Sequence, residues 1–269
     1  MIPASVAISR PGALGTPLPR VPFLEELHTG YFDFVLRGGQ QTMIAGIPGS
    51  QKSGLAVAIS GALADSGIPA MYFSADMDRH TASTRLAATL TGHTTKSIAR
   101  DLDEGAHDHF ADLLDLPFRF SFNSGPTISE IHDEISAWVE TWDDYPGVIV
   151  IDNLLDVIPS SGDSETTGYK ANLLDFKDLA RTTGAHIFTL HHMSEFSGDP
   201  TMPPARKFIL GKVAQTPENI LSVAFDNQRD QLVLSLVKHR NGPSSPSADL
   251  VVRLDADPAS NTFRQHRVY

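Results

Sequence analysis

The sequence predicts an α/β fold with a mainly parallel twisted sheet, helices on both faces and antiparallel strands at the C-terminal end. Two patterns support this fold class. From residue 42 to residue 190, short apolar strands alternate with helix-length segments, the order that produces a parallel sheet covered by helices. After residue 219, four strand-like segments follow one another with turn residues between them, which indicates antiparallel pairing at a sheet edge.

Apolar periodicity predicts each element of the alternating region. Strands are expected at 42–46, 70–74, 118–122, 148–151 and 185–190, and helices at 52–64, 79–90, 98–116, 128–142 and 169–183. Thr127 and Glu130 give one of these helices the capping-box form at its start. The run Val-Ile-Val-Ile at 148–151 is typical of a strand buried on both faces. The closing strands are expected at 220–225, 231–237, 250–254 and 262–268.

Composition excludes several classes of protein. The 269 residues are 41% hydrophobic and 20% charged, which is ordinary for a globular chain and unlike a disordered, collagenous or coiled-coil one. The net charge of −11 argues against a uniformly basic surface that coats duplex DNA, although it leaves room for a local basic groove. Because the chain has no cysteine, disulfides, thiolate metal sites and cysteine nucleophiles are excluded.

The first 36 residues differ from the rest of the chain. Residues 1–22 are rich in proline, and we interpret 1–36 as an N-terminal arm or linker and 37–269 as one core. The first 20 residues lack the positively charged start and apolar segment of a signal peptide. No apolar run approaches the ~20 residues that span a bilayer. We therefore expect a cytoplasmic protein with no membrane partner.

Residues 46–53, Gly-Ile-Pro-Gly-Ser-Gln-Lys-Ser, lie between the first predicted strand and the first predicted helix. They match the phosphate-binding pattern G-x-x-x-x-G-K-[ST] except at Gln51, where the pattern has glycine. Such a loop directs its amides and a helix N-terminus at a phosphate, while the lysine reaches the β- and γ-phosphates and the hydroxyl binds Mg²⁺. The candidate nucleotide-binding residues are Gly46, Gly49, Ser50, Gln51, Lys52 and Ser53. The alternative is a Gly/Pro turn that ends in Lys-Ser by chance.

A second candidate site lies at the end of another predicted strand. Asp152 follows the apolar run 148–151, and in open α/β sheets ligands bind outside the carboxyl ends of the strands. An aspartate there can hold Mg²⁺ together with the serine of the phosphate-binding loop. ATP and Mg²⁺ are therefore the expected ligands, and Ser53 and Asp152 are the residues expected to hold the metal. The alternative is an aspartate that begins an ordinary turn.

With these two segments, residues 30–268 resemble the RecA-type ATPase core, and within it the ATPase domain of DnaB-type replicative helicases. Residues 73–77, Phe-Ser-Ala-Asp-Met, resemble the family segment F-S-L-E-M, and the resemblance gives Asp76 the role of the glutamate that polarises the attacking water. His191 and His192 follow the strand 185–190, where the family has a polar γ-phosphate sensor, and we assign that role to His192. The alternatives are a metal site and an inert exposed pair.

Residues 238–242, Lys-His-Arg-Asn-Gly, are similar to the family segment K-x-R-N-G. The resemblance implies that Lys238 and Arg240 reach across a subunit interface to the γ-phosphate of the neighbour, as an arginine finger does. It also implies a homo-oligomer, in the form of a hexameric ring. The alternative for these two residues is the solvated end of a hairpin.

Two loops are candidates for contact with single-stranded DNA, because RecA-type rings use the loops after the corresponding strands. They are residues 159–170 and 194–212. The second loop has Arg206, Lys207 and Lys212 in an otherwise acidic chain, which suits phosphate contacts without sequence preference. The alternative is a solvated loop of average charge.

Together with the phosphate-binding loop and Asp152, this resemblance implies a Mg-ATP-dependent, ring-forming motor on single-stranded DNA that serves replication or recombination. Two departures from the family predict weak hydrolysis: Gln51 would cost about 1–2 kcal/mol at a positive φ, and Asp76 is one methylene shorter than glutamate. The expected stand-alone core, without a primase-interacting domain, resembles phage or mobile-element proteins, which would act in the host cytoplasm. The alternatives are a weakly hydrolysing loader or scaffold, and a metal-dependent nuclease that uses Asp76, Asp152 and the two histidines.

Overall fold

A nine-stranded sheet runs through the part of the chain that the structure, a computed structural model, describes: residues 15–106, 113, 115–159, 165–194 and 198–266. Its strands are β1 Gln41–Gly46, β2 Ala70–Ser74, β3 Phe118–Ser121, β4 Val148–Asp152, β5 His186–His192, β6 Asn219–Asp226, β7 Gln231–His239, β8 Val252–Asp257 and β9 Thr262–Gln265. The order across the sheet is β3-β2-β4-β5-β1-β6-β7-β8-β9. The first six strands of this order are parallel, and β7, β8 and β9 are antiparallel. The predicted fold class is confirmed.

Helices cover both faces of the sheet. They are α1 Glu25–Thr29, α2 Lys52–Asp65, α3 Arg79–Thr91, α4 Thr95–Asp103, α5 Ile128–Trp142 and α6 Glu165–Thr183. One core cluster joins the sheet to α1 and α2, with Leu27 and Leu55 among its buried members. The other cluster joins the opposite face to α5 and α6, through residues such as Trp138 and Phe176. The protein therefore has three layers, with the sheet in the middle.

Strand β4 shows why the sequence places the sheet in the middle. Val148 and Val150 belong to the core cluster on the α2 side, whereas Ile149 and Ile151 belong to the cluster on the α5 and α6 side. Successive side chains of a strand point to opposite faces, so an unbroken apolar run can be buried on both. The sequence interpretation of 148–151 as a doubly buried strand is confirmed.

The predicted start of α5 is also confirmed. The Thr127 hydroxyl accepts a hydrogen bond of 3.2 Å from the Glu130 amide, and the Glu130 carboxylate accepts one of 2.8 Å from the Thr127 amide. These two bonds satisfy donors that the first helical turn leaves without a partner. The bonds that the Glu130 carboxylate accepts from the Thr127 amide and hydroxyl hold the pKa of Glu130 below its ordinary value.

Several predicted boundaries differ from the structure. The helix expected over 98–116 ends at Asp103, because Gly105 has a φ of 73°, and residues 107–112 and 114 lie outside the described part of the chain. Strand β5 continues to His192, because Gly46 of the neighbouring β1 supplies a backbone partner there. Helix α6 begins at Glu165, so it includes the end of the loop predicted at 159–170, of which residues 160–164 lie outside the described range.

Candidate functional site

The loop between β1 and α2 curves tightly at the carboxyl end of β1. A Cβ at Gly46 would lie 2.6 Å from the Val223 carbonyl oxygen and would also collide with the Ser50 hydroxyl, so only glycine fits there. Gly49 has a φ of 78°, in the left-handed region that glycine adopts without strain. The Ser50 hydroxyl is buried and has no hydrogen-bond partner among the described residues. The loop therefore encloses a small concave space with an unsatisfied polar group.

Gln51 occupies the strained conformation that the sequence analysis considered. Its φ is 63° and its ψ is 25°, in the left-handed region, at a cost of about 1–2 kcal/mol for a residue with a side chain. Gln51 is also the N-cap of α2, and no side chain caps this helix. The amides of the first turn of α2 are thus available to an anion at the positive end of the helix dipole.

Lys52 lies inside the loop. Its Nζ donates hydrogen bonds to the carbonyl oxygens of Gly46, at 3.1 Å, and of Ile47, at 3.0 Å. Burial lowers the pKa of Lys52 to about 8, although the carboxylates of Asp152 and Asp76 favour its charged form. The ammonium group is therefore poorly solvated, and a phosphate would stabilise its charge.

Asp152 ends β4 directly beside this loop. It is buried, and its Oδ2 accepts a hydrogen bond of 2.7 Å from the Tyr72 hydroxyl. Ser53 also hydrogen-bonds to the Asp152 carboxylate. Burial raises the pKa of Asp152, and the bonds from Tyr72 and Ser53 oppose that rise. A carboxylate and a hydroxyl in contact form a hard oxygen pair of the type that Mg²⁺ prefers, so these residues fit that metal.

The pairing of neighbouring strands brings the other predicted residues to the same edge of the sheet. Gly46 lies opposite His192, and Ser74, two residues before Asp76, lies opposite Asp152. A cavity of about 300 Å³ results. It is lined by Pro48, Gly49, Ser50, Gln51, Lys52, Ser53, Gly54, Asp76, Arg85, Asp152, Asn153 and His192. We call it the P-loop cavity.

Asp76 and His192 both line the P-loop cavity. Oδ2 of Asp76 accepts a hydrogen bond of 3.3 Å from the Asn153 side chain, which orients the carboxylate. Burial, with the nearby charge of Lys52, lowers the pKa of His192, so its imidazole is neutral at pH 7. The His192 Nδ1 is buried without a hydrogen-bond partner among the described residues. The cavity therefore has a fixed carboxylate and a neutral imidazole on the walls that face the loop.

His191 points to the opposite side of β5. Its Nε2 donates a hydrogen bond of 2.9 Å to the Leu210 carbonyl, and burial lowers its pKa to about 4. The two histidines therefore do not share a ligand. The described residues contain no group of three or more His, Asp or Glu side chains that could hold a metal ion. The nuclease alternative gains no support from this part of the chain.

Sequence reasoning missed three residues of this site. Asn153 orients Asp76, Tyr72 binds Asp152, and Arg85 of α3 lines the cavity. Asn153 had a signal, since it follows Asp152 at the carboxyl end of a strand. Tyr72 had none, because a tyrosine inside an apolar strand is equally consistent with core packing.

Lys238 and Arg240 lie far from the P-loop cavity, at the end of β7. The Lys238 Nζ donates to the carbonyl oxygens of Ala214 at 2.9 Å, Gln215 at 2.7 Å and Pro217 at 2.5 Å. Arg240 forms an ion pair of 3.4 Å with the carboxylate of Glu218. The side chains of both cations are therefore bonded to the segment that precedes β6.

Arg206 and Lys207 lie beside them. All four cations line one groove of about 1160 Å³, which we call the basic groove. Lys207 also lies 5.1 Å from the ring centre of Phe208. Lys212 is the last residue of a short 3-10 turn, Leu210–Lys212. For Lys212 the structure describes the backbone only. The structure therefore brings Arg206 and Lys207 next to the predicted interface residues.

A comparison with protein families identifies the class of the chain. The model of the AAA domain matches residues 28–196, from α1 through the phosphate-binding loop to just beyond the end of β5. The chain belongs to the AAA domain family. Because the match includes the phosphate-binding loop and Asp152, this AAA domain is a P-loop ATPase. In the described residues, every helix is too short or too polar to cross a membrane.

Relatives of this AAA protein occur in phages. It is 32% identical over 244 residues to the Gene 65 protein of Mycobacterium phage L5, a match that covers 88% of each chain. It is 30% identical over 211 residues to the Gene 65 protein of Mycobacterium phage D29, covering 75% of this chain and 89% of that protein.

Solved structures show the same fold. A DnaB-like replicative helicase, studied with its interactions with primase, has a TM-score of 0.77 at 17% identity and covers 98% of this chain and 67% of its own. A second solved structure, an ATPase domain on its own, has a TM-score of 0.74 at 16% identity, with 98% of this chain and 96% of that domain covered. The expected resemblance to DnaB-like helicase ATPase domains is confirmed at the level of the fold.

Proposed function

We propose that this AAA protein is a Mg-ATP-dependent motor that forms a hexameric ring and acts on single-stranded DNA in replication or recombination. The observation that supports this best is the P-loop cavity. It brings together Lys52, Ser53, Asp76, Asp152 and His192 from segments far apart in the chain. The phage relatives support action in the cytoplasm of a phage host.

The loop 46–53 would hold the phosphates of ATP with the amides that start α2. Lys52 would exchange its bonds to Gly46 and Ile47 for bonds to the β- and γ-phosphates, which are stronger because both partners are charged. Ser53 and Asp152 would hold Mg²⁺, which when bound neutralises part of the phosphate charge.

Asp76 and His192 would act near the γ-phosphate. The carboxylate of Asp76, oriented by Asn153, would accept a hydrogen bond from the attacking water. This bond would align the water and polarise it for attack. The neutral imidazole of His192 can hydrogen-bond a phosphate oxygen or a water and so respond to whether the γ-phosphate is present. The short side chain of Asp76 predicts slow turnover without an activator.

Arg240 would serve a neighbouring subunit. Arg240 follows the end of β7, where Lys238 pairs with Ile220 at the start of β6. Gly46, by contrast, lies at the carboxyl end of β1, which runs parallel to β6. At ~3.3 Å per residue, the length of β1 corresponds to roughly 15 Å between the level of Arg240 and the level of Gly46. This distance keeps Arg240 from the nucleotide bound by its own subunit. Lys238 must release three carbonyls to reach a phosphate, so we assign the first contact across the interface to Arg240.

An ATPase assay tests the enzymatic part of the proposal. We expect ATP hydrolysis that needs Mg²⁺ and rises several-fold with single-stranded DNA, and we expect Lys52→Ala to abolish nucleotide binding while the fold is retained. Nucleotide binding without hydrolysis would favour a loader or scaffold. Cleavage of DNA with metal alone would establish a nuclease, and failure of the wild-type protein to bind ATP would refute the proposal.

Mixed rings test the interface. Arg240→Ala should bind ATP normally but turn it over at least ~10³-fold more slowly. In a mixture with Lys52→Ala protein, the Lys52→Ala subunit donates its intact Arg240 to the intact P-loop of its neighbour, and activity should return in part. Native mass spectrometry with an ATP analogue and Mg²⁺ measures the ring size and confirms mixed assembly. Full activity of Arg240→Ala alone would contradict a role in trans.

A further inference from the structure

The basic groove concentrates positive charge on an acidic protein. Arg206, Lys207, Lys238 and Arg240 line it, and its other described lining residues are neutral. The chain as a whole has a net charge of −11, so four cations with no carboxylate among the described lining residues are a local departure, with Glu218, which pairs with Arg240, lying outside the lining. Like charges in one groove repel one another unless an anion occupies the space between them.

Arg206 is fixed to the framework of the groove. Its amide donates a hydrogen bond of 2.9 Å to the Pro246 carbonyl, in the segment that follows β7. Two residues earlier, the Pro204 carbonyl accepts a bond of 2.6 Å from the buried hydroxyl of Ser222 in β6. The backbone that bears Arg206 is therefore attached to β6 and to the segment after β7, unlike the tip of a free DNA-binding loop.

Arg206 and the interface residues also affect one another electrostatically. Burial and the charges of Arg240 and Arg206 contribute to lowering the pKa of Lys238 to about 8. Lys238 is occupied by three backbone carbonyls, so the side chains that can turn to a ligand at this place are those of Arg206, Lys207 and Arg240. Arg240 is half-exposed and would exchange its 3.4 Å ion pair with Glu218 for that ligand.

We propose that Arg206 binds the triphosphate of the neighbouring subunit's nucleotide together with Arg240, and that it is not a DNA-binding residue. This inference rests on the proposed role of Arg240 in trans, because a residue that lines the same groove faces the same subunit. Two guanidinium groups on a groove wall suit the terminal phosphates of a nucleotide, since each can form a bidentate pair with phosphate oxygens. A DNA strand in this groove would compete with the neighbour's nucleotide for Arg240.

The test compares Arg206→Ala with Arg240→Ala and with a matched control, Arg119→Ala, which removes an exposed arginine from β3 at the other edge of the sheet. We expect Arg206→Ala to lower kcat for ATP at least about tenfold in the presence of saturating single-stranded DNA. Its affinity for single-stranded DNA, and the slope of that affinity against salt, should equal those of Arg119→Ala. Loss of one DNA phosphate contact would instead reduce the salt slope by about 0.7.

Mixing experiments decide which subunit Arg206 serves. Arg206→Ala mixed with Lys52→Ala should regain activity, because the Lys52→Ala subunit presents an intact groove. Arg206→Ala mixed with Arg240→Ala should not, because every interface then lacks one arginine. If Arg240→Ala is rescued by Lys52→Ala while Arg206→Ala weakens DNA binding and is not rescued, the inference is overturned and the proposed function stands. If neither variant is rescued in confirmed mixed rings, the proposed interface itself fails.

Discussion

The hydroxyl of Tyr72 donates a hydrogen bond of 2.7 Å to Oδ2 of Asp152, across neighbouring strands and in a fully buried position. The two residues are 80 positions apart in the chain. The bond lowers the pKa of Asp152 and so opposes the effect of burial, which raises it. Tyr72 thus favours the ionised carboxylate, the form that binds a divalent cation.

Replacement of Tyr72 by phenylalanine should therefore weaken Mg²⁺-dependent nucleotide binding. The pKa of Asp152 would rise further, and because the carboxylate is lost as pH falls through that pKa, the defect should be greater at pH 6 than at pH 8. We expect the Mg²⁺ concentration for half-maximal binding of a fluorescent ATP analogue to rise about fivefold at pH 6. Phe keeps the ring contacts with Phe118 and Phe120, so the fold is retained. An unchanged Mg²⁺ requirement at both pH values would remove Tyr72 from the site.

Gln51→Gly should leave nucleotide affinity and turnover equal or higher. Glycine adopts a φ of 63° without strain, but it also gives the unfolded chain more freedom, so the free energy of unfolding should change by less than about 1 kcal/mol. The matched control is Gln51→Ala, which keeps the strain and removes the amide. Loss of turnover in both variants would show that the Gln51 side chain has a role of its own.

ATP binding should weaken as pH rises above 8. Burial lowers the pKa of Lys52 to about 8 in the free protein, and the phosphates favour the charged ammonium, so binding takes up a proton above that pH. The contribution of Lys52 to affinity is complete below pH 8 and is lost as pH rises through the pKa of the bound state. Calorimetric titration in buffers of different ionisation enthalpy measures the proton uptake. The pKa of Lys238 is also about 8, so the control is Lys238→Met, which should keep the same pH dependence.

Glu218→Gln should destabilise the protein. The Glu218 carboxylate is buried and forms ion pairs of 2.8 Å with Lys177 and 3.4 Å with Arg240, and it accepts a bond of 3.2 Å from the Gln41 amide. Loss of the charge leaves the largely buried Lys177 without its ion pair, which should cost about 1–3 kcal/mol of unfolding free energy in urea denaturation.

The double variant Lys177→Met with Glu218→Gln provides the control for that measurement. It removes both charges, so it should recover part of the loss seen in Glu218→Gln alone. A cost below about 0.5 kcal/mol for the single variant would show that the ion pair contributes little to stability.

Local patterns in the sequence predicted most of the fold. The apolar run of β4, the capping box of α5 and the loop between β1 and α2 each depend on residues that are neighbours in the chain, so the sequence alone indicates them. The helix predicted over 98–116 was too long, because apolar spacing continued beyond Gly105, whose positive φ ends α4.

Relationships between distant residues could not be predicted in the same way. The bond from Asn153 to Asp76 and the bond from Tyr72 to Asp152 depend on which strands become neighbours. The shared groove of Arg206 and Arg240 depends on how the segment after β5 crosses β6 and returns. The positive φ of Gln51 follows from the loop closing around Gly46, which the residue type itself opposes.

The opposite orientation of His191 and His192 has a mechanical consequence. His192 lines the P-loop cavity, His191 is bonded to Leu210, and both Ser194 donors contact the Phe208 carbonyl at 2.8 and 3.0 Å. A rotation of the end of β5 would therefore also act on the segment that bears Arg206, because the same strand end is bonded to that segment. Adjacent residues of one strand would thus connect the two sites through the backbone, without a relay of side chains through the core.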